Sequence, residues 1–296
     1  MLNFGRDNTS KLAKWWRNIN KEILFLFVFL FLLGLFFSFS STSSVVADKM
    51  NKEMYFFFIK HLTFVSISLF LIVTISIIDK KILIKFLPYL FFISIFFLLL
   101  IPFIGTEVKG SKRWLDLFFL PRFQPVELVK PLFVIFIAKI IATENKTEIN
   151  KRYLYSFLIL LLIAFLLINQ PDFGQTLLLV LTWITIIFVS GFNMIFLTIF
   201  GFSFLLIMSF LIFFFRDKFG YIFLRIQTFI DPKSGDNFQS QKALDAINQG
   251  GLTGQGMGEG ILKDKVPEAH TDYIIDVIPE EFGDIFVLFI VTIFLF

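Results

Sequence analysis

Four stretches of this sequence gather side chains that can recognise or transfer a charged group. The first is Gly110-Ser-Lys112-Arg113-Trp114-Leu-Asp116, followed by Gln124-Pro-Val-Glu127-Leu-Val-Lys130-Pro. Adjacent Lys112 and Arg113 supply donors suited to phosphate or pyrophosphate oxygens, and Trp114 is an aromatic of the type that sits at a membrane surface. A basic loop anchored by Trp on anionic lipid accounts for the same residues. Glu127 and Lys130 are three apart, so they can pair on one helix face. Ionisable groups at membrane depth face a partner or a polar cavity, and this pair would either line a site or hold two helices together. Lys139, later in the same segment, is expected to snorkel. The second stretch, Asn169-Gln170-Pro-Asp172-Phe-Gly174-Gln175, reads as a tight turn in which Asp172 either caps the next helix or meets a ligand.

The third stretch opens with Tyr221, Arg225 and Asp231-Pro232. The spacing then predicts a short amphipathic helix over 241–249, with Ala243, Leu244 and Ile247 on its apolar face, Ser240 as N-cap and Gly250 as stop. Six glycines occupy the eleven positions from Gly250 to Gly260, with Gln255 among them. Such a run can wrap a sugar or phosphate with exposed N–H groups, or serve as a hinge. The fourth stretch is Pro267-Glu268-Ala-His270-Thr271-Asp272, with Asp276, Pro279, Glu280, Glu281 and Asp284 after it. A carboxylate placed where a loop returns to a membrane is partly desolvated, which suits it to general-base work; a solvated cluster of surface acids is the alternative. Phosphate-loop, zincin and hydrolase-elbow motifs are missing, His61 and His270 lie far apart, and there is no Cys, so standard hydrolase and cysteine-ligated metal chemistry are excluded.

The elements that carry these residues must lie in lipid. The 296 residues are 57% hydrophobic, 19% aromatic and only 17% charged, with 46 Phe and a mean hydropathy of +0.82. A soluble chain carries about 25% charge and about 45–50% apolar residues. Spans of about 20 apolar residues are expected at 23–40, 57–78, 86–105, 125–142, 153–170, 173–190 and 194–215, with an eighth beginning near Ile285. Ser190-Gly191-Phe192-Asn193 supplies the turn between the sixth and seventh. The first span is read as a retained anchor although Val45-Val46-Ala47 resembles a cleavage site. With the N-terminus inside, short inner loops carry Arg6, Lys11, Lys14, Arg17, Lys21, Lys80, Lys81, Lys85, Lys146, Lys151 and Arg152, against Lys49, Lys52, Lys109, Lys112, Arg113 and Arg122 outside. The expected organisation is therefore 1–215 with seven spans, a large outer loop over 216–284, and the start of the eighth span over 285–296. Basic residues next to apolar runs, and a net charge of only +4, argue against nucleic acid as a partner.

In their order, Gly110-Ser-Lys-Arg-Trp114, Gln124-Pro-Val-Glu127-Leu-Val-Lys130, Gln170-Pro-Asp-Phe-Gly174, Arg225, the run Gly-Gln-Gly-Met-Gly-Glu-Gly260, Pro267-Glu-Ala-His-Thr-Asp272 and Glu280-Glu-Phe-Gly283 resemble the SEDS family of shape, elongation, division and sporulation proteins. The glycine run and the Pro267–Asp272 string look more like its division members. The resemblance implies an all-α polytopic membrane protein, a helical bundle of ten spans with its large extracytoplasmic loop between the seventh and eighth. It implies a peptidoglycan glycosyltransferase of the bacterial cytoplasmic (inner) membrane, at the division septum, polymerising lipid II with its site on the extracytoplasmic face.

Carried over residue by residue, the general base falls on Asp272, with Lys112, Arg113, Trp114, Glu127, Lys130, Arg225, Gln255, His270 and Thr271 as substrate-binding candidates. Lys112, Arg113 and Arg225 are placed at the pyrophosphate. Asp276, four residues on, would raise the pKa of the base by like-charge repulsion, and Pro279 would kink or start the eighth helix. No cofactor is named outright, though a divalent cation, Mg or Mn, suits a pyrophosphate leaving group; no metal ligand is assigned. A class B penicillin-binding protein transpeptidase and other division membrane proteins are the implied partners. The competing readings are a lipid II flippase, which would carry ionisable groups through to the inner face, and a non-catalytic scaffold for a transpeptidase.

Overall fold

A computed structural model describes residues 10–41, 55–108, 111–117, 121–142, 149–214, 220, 223–224, 227, 238–256, 259–260 and 274–295. The chain divides into two compact units, one spanning Asp79–Arg225 and the other combining Met1–Ile78 with Ile226–Phe296.

The first unit holds α4 (Lys80–Ile104), a hairpin of β1 (Thr106–Val108) and β2 (Ser111–Trp114), α5 (Pro125–Ile141), α6 (Ile149–Asn169), α7 (Phe173–Val189) and α8 (Met194–Phe214). Asp79 caps α4 by accepting from Lys81 N–H at 2.9 Å, and Pro125 opens α5, where its missing N–H leaves no intrahelical partner wanting. The shared core contains Phe91 and Leu98 of α4, Phe133 and Ile137 of α5, Ile163 and Leu167 of α6 and Ile187 of α7. Phe91 stacks on Phe136 at 4.4 Å between ring centres. With lipid as apolar as leucine, such packing stabilises through close contact and interhelical hydrogen bonds more than through exclusion of water. Trp183 Nε1–H donating to the buried Ser156 hydroxyl at 3.2 Å is one such bond. Phe103, Phe165 and Phe202 point outward, as lipid-facing side chains should.

Two prolines inside α4, Pro88 and Pro102, create needs that other helices meet. Each lacks the N–H that would bond the carbonyl four residues earlier, which orphans Ile84 O and Leu98 O. Lys139 Nζ of α5 donates to Ile84 O at 2.7 Å, and Gln170 Nε2 donates to Leu98 O at 3.3 Å. Lys139 is thus tied to a neighbouring backbone instead of only snorkelling.

The second unit holds α1 (Lys11–Asn18), α2 (Lys21–Ser41), α3 (Phe56–Ile77), α9 (Phe238–Gly250), α10 (Ile274–Phe282) and α11 (Asp284–Leu295). Ser10 caps α1, and Trp15 Nε1–H donates to Ser76 Oγ at 2.7 Å, fixing α1 to the end of α3. Phe37 of α2 packs edge-on against Phe282 and Phe286.

Lys21–Phe39, Phe58–Ile77, Lys80–Ile104 and Ile149–Asn169 are long and apolar enough to cross a membrane, and Phe173–Val189, Leu197–Ile207 and Asp284–Leu295 are shorter apolar helices. The protein is a multi-pass helical membrane protein. Gly191, at φ +84°, makes the expected turn between α7 and α8. Two expectations are corrected. The amphipathic helix begins at Phe238, so Ser240 lies inside it; among its residues of described burial Ala246 and Gly250 are buried, Ile247 is half-buried and Leu244 is exposed, while the side chain of Ala243 lies outside those described. Pro279 neither starts nor breaks the last span: it sits within α10, and Gly283, at φ +83°, separates α10 from α11.

Candidate functional site

In the Asp79–Arg225 unit a polar cluster forms where β2, the start of α5 and the turn between α6 and α7 meet. Successive strand residues face opposite sides, so Lys112 and Arg113 part company. Arg113 turns to the 169–172 turn, where its Nε–H donates to Gln170 O at 3.2 Å, its Nη2 donates to Pro171 O, and its Nη1 lies 3.8 Å from Asp172 Oδ1. Gln124 Nε2 donates to the other oxygen of Asp172 at 3.3 Å. Asp172 precedes α7 without a side-chain cap bond; it is 6% exposed, and its burial pushes the carboxyl above the ordinary range while the Arg113 guanidinium pulls it back. Beside it, Lys130 Nζ pairs with Glu127 Oε2 at 2.7 Å. Gln175 Nε2 lies 3.5 Å from Glu127 Oε1, and the buried Gln175 Oε1 has no hydrogen-bond partner among the described residues.

On the other face of the hairpin, Lys112 stands opposite Glu107 in the strand register. Both line a pocket of about 280 Å³ together with Ile101, Pro102, Ser111 and the 169–171 turn, whose Gln170 and Pro171 carbonyls Arg113 also holds. Arg122 pairs with Asp116 at 3.3 Å on the exposed surface.

In the other unit the glycine run is docked onto α10. Gln255 N–H donates to Glu280 O at 2.9 Å, Gly256 N–H to Glu281 O at 3.0 Å, and Asp284 N–H to Gly251 O at 2.9 Å. A Cβ at Gly250 would lie 1.9 Å from Pro279 O, and one at Gly254 would lie 2.3 Å from Glu281 O. Glycine is needed here for backbone to approach backbone. Gly260 makes room for a side chain, since a Cβ there would lie 3.0 Å from Glu280 Cδ. Glu280 and Glu281 are buried, at 0% and 3% exposure, and do not belong to a solvated surface cluster.

The family model described as cell cycle protein, FtsW/RodA/SpoVE, matches residues 21–296. The chain belongs to this family. It is 29% identical over 293 residues to the probable peptidoglycan glycosyltransferase FtsW of Caulobacter vibrioides, covering 99% of this chain and 74% of that one. It is 33% identical over 198 residues to the protein of the same name from Haemophilus influenzae, covering 66% of this chain and 50% of the relative. Against the Francisella salina protein of that name the figures are 30% identity, 87% and 65%. The chain therefore spans between half and three quarters of these relatives.

Among solved structures, a chain of a peptidoglycan synthase complex that coordinates polymerization and crosslinking superposes with a TM-score of 0.71 at 20% identity, over 94% of this chain and 75% of that one. A mutant of the Thermus thermophilus rod shape determining protein RodA superposes at 0.60, also at 20% identity, over 94% and 72%. The fold is that of these FtsW/RodA/SpoVE proteins.

For an FtsW/RodA/SpoVE chain, the candidate residues divide cleanly. Arg113, Glu127 and Lys130 come together, and Lys112 lies across the hairpin from them; Trp114 closes the strand, with its carbonyl accepting from Thr106 Oγ1 at 3.3 Å. Gln255 is placed in the other unit by its backbone bond to Glu280 O. Arg225, His270, Thr271 and Asp272 lie outside the described residues. Gln124, Gln170 and Asp172 tie the cluster together, and only Asp172 carried an expectation from sequence. Their signal was present in the Gln-Pro pairs at 124–125 and 170–171, each placing an amide beside a helix boundary. No group of three His, Asp or Glu side chains among the described residues is placed to hold a metal ion. Among the described residues, Asp172 and Glu127 already face cations.

Proposed function

We propose that this protein is a peptidoglycan glycosyltransferase that polymerises lipid II into glycan strands during septal wall synthesis. The observation that carries the reading is the family membership, with relatives named as such glycosyltransferases over nearly the whole chain. The geometry supports it: a membrane-embedded bundle carries a charged cluster around Arg113, Asp172, Glu127 and Lys130 at the mouth of its helices. In the other unit the Pro267–Asp272 string leads directly into α10, whose position the glycine run fixes.

In the proposed step Asp272 takes the proton from the GlcNAc 4-hydroxyl as that oxygen attacks C1 of MurNAc on the second substrate. The bond from C1 to the pyrophosphate oxygen breaks, undecaprenyl pyrophosphate leaves as the anion, and the anomeric centre inverts. A leaving group already this stable needs cationic charge more than a general acid, and Arg225 is assigned to it. Arg113 contributes by holding the 169–172 turn. A class B penicillin-binding protein transpeptidase is the proposed partner in the cytoplasmic membrane at the septum, with the site facing outward. A divalent cation, Mg or Mn, would add charge at the pyrophosphate.

The test is glycan polymerisation from labelled lipid II by the whole protein with its cognate transpeptidase, comparing wild type with Asp272→Asn at equal membrane abundance. Loss of a general base is expected to cost about 10²–10⁴-fold in rate, with partner binding retained. Undiminished polymer removes Asp272 as the base. If wild type makes none beside an active control, the reading gives way to transport of lipid II or to a scaffold.

A further inference from the structure

The pocket between the hairpin and the 169–171 turn has a composition that the pyrophosphate does not explain. Lys112 and Glu107 are register partners on β2 and β1, the arrangement in which opposite charges ordinarily pair across a hairpin. Here they form no ion pair, and both line the pocket of about 280 Å³. Neither side chain, nor that of Ser111, has a partner among the described residues. Asn169 spends its amide N–H on Phe165 O at 3.0 Å, which leaves its oxygen available as a pocket acceptor. Ile101 and Pro102 give the pocket one apolar wall.

An ammonium alone would suit any anion, including a pyrophosphate. A carboxylate in the same small space repels a multiply charged anion, because like charges at such range disfavour each other. It favours instead a ligand that brings a carboxylate to Lys112 and an amine or amide N–H to Glu107. A volume near the lower end of the range of about 300–1,000 Å³ for small-ligand sites fits a short peptide segment and excludes a whole lipid-linked disaccharide. We propose that this pocket is a subsite for the peptide portion of the lipid-linked substrate, with Lys112 on a peptide carboxylate and Glu107 on a peptide amine or amide. The proposal rests on the glycosyltransferase reading for the identity of the substrate, and it moves Lys112 from the pyrophosphate to the peptide.

Binding is measured separately from turnover, on the whole protein in detergent, with fluorescent lipid-linked disaccharide carrying or lacking its peptide and with undecaprenyl pyrophosphate alone. Wild type is expected to hold the peptide-bearing lipid about tenfold tighter than the peptide-free one, the scale of one charge-assisted hydrogen bond. Lys112→Gln and Glu107→Gln, checked for unchanged melting temperature, should each erase that difference and leave the other two ligands unaffected. The charge-swapped double variant, which preserves any pairing across the hairpin, should stay as weak as the singles.

Three results overturn the proposal: equal binding of both lipids by wild type, recovery in the swap, or weakened binding of undecaprenyl pyrophosphate by Lys112→Gln, which returns Lys112 to the pyrophosphate. Peptide-dependent binding without any polymer would sink the polymerase reading and leave the pocket standing.

Discussion

The two units fix their irregular segments in opposite ways. The Asp79–Arg225 unit uses long side chains: Arg113 grips the carbonyls of Gln170 and Pro171, and Gln170 in turn reaches Leu98 O. The other unit docks its glycine run onto α10 through backbone, with N–H groups of Gln255 and Gly256 on the carbonyls of Glu280 and Glu281. Ties made by side chains fail one at a time and by graded amounts. A tie made by backbone contact tolerates no added atom, so its failure is abrupt.

The largest effect is therefore expected in the glycine run. Gly254→Ala forces a Cβ to 2.3 Å from Glu281 O at a φ of +77°, and overpacking together with a left-handed alanine should cost about 2–4 kcal/mol. Thermal unfolding in detergent measures it, with Gly201→Ala in α8 as the control, because nothing lies within 4 Å of a Cβ there. Equal melting of the two variants would break the contrast between the units.

Arg113→Met comes next. It leaves Asp172 buried without its guanidinium, and about 2–3 kcal/mol is expected from the lost charged hydrogen bonds. Retention of part of that stability by Arg113→Lys would sharpen the contrast, since a graded response is what side-chain ties give. A drop as abrupt as that of Gly254→Ala would erase it.

The smallest effect tests compensation. Gln170→Leu should cost about 1 kcal/mol by leaving Leu98 O unsatisfied. In a Pro102→Ala background the new N–H takes that carbonyl, and the cost of losing Gln170 should fall toward zero in a double-mutant cycle. Additive costs would mean that Gln170 does not answer the proline.

The helices of the expected spans were legible because apolar length is a local property. The expectations of 125–142, 173–190 and 194–215 differ by a single residue from Pro125–Ile141, Phe173–Val189 and Met194–Phe214. The pairing of Glu127 with Lys130 was legible for the same reason, being set by helix spacing. Other features depend on segments far apart in the chain. Nothing near Lys139 indicates that a proline 51 positions earlier frees a carbonyl for it. For the acids around Glu280 and Glu281 the sequence left a solvated surface cluster open as an alternative, and both side chains are buried. The glycines were read as a cradle for a ligand or a hinge, and the partner of those at 250 and 254 is α10. The hairpin over 106–114 was missed because its polarity and Gly110 suit a loop equally well.

The docked glycines also bear on how this gene can drift. Every Phe codon begins with two T bases, and the chain has 46 Phe in 296 residues, whereas every glycine codon begins with two G bases. Mutation toward A and T would remove glycine along with the other residues whose codons begin with G and C. Yet six of the chain's 16 glycines stand between positions 250 and 260, and at 250 and 254 the only substitution free of collision with α10 is none at all. Those codons are held against the current of the surrounding gene by the distance between two carbonyl oxygens and a carbon atom that is not there.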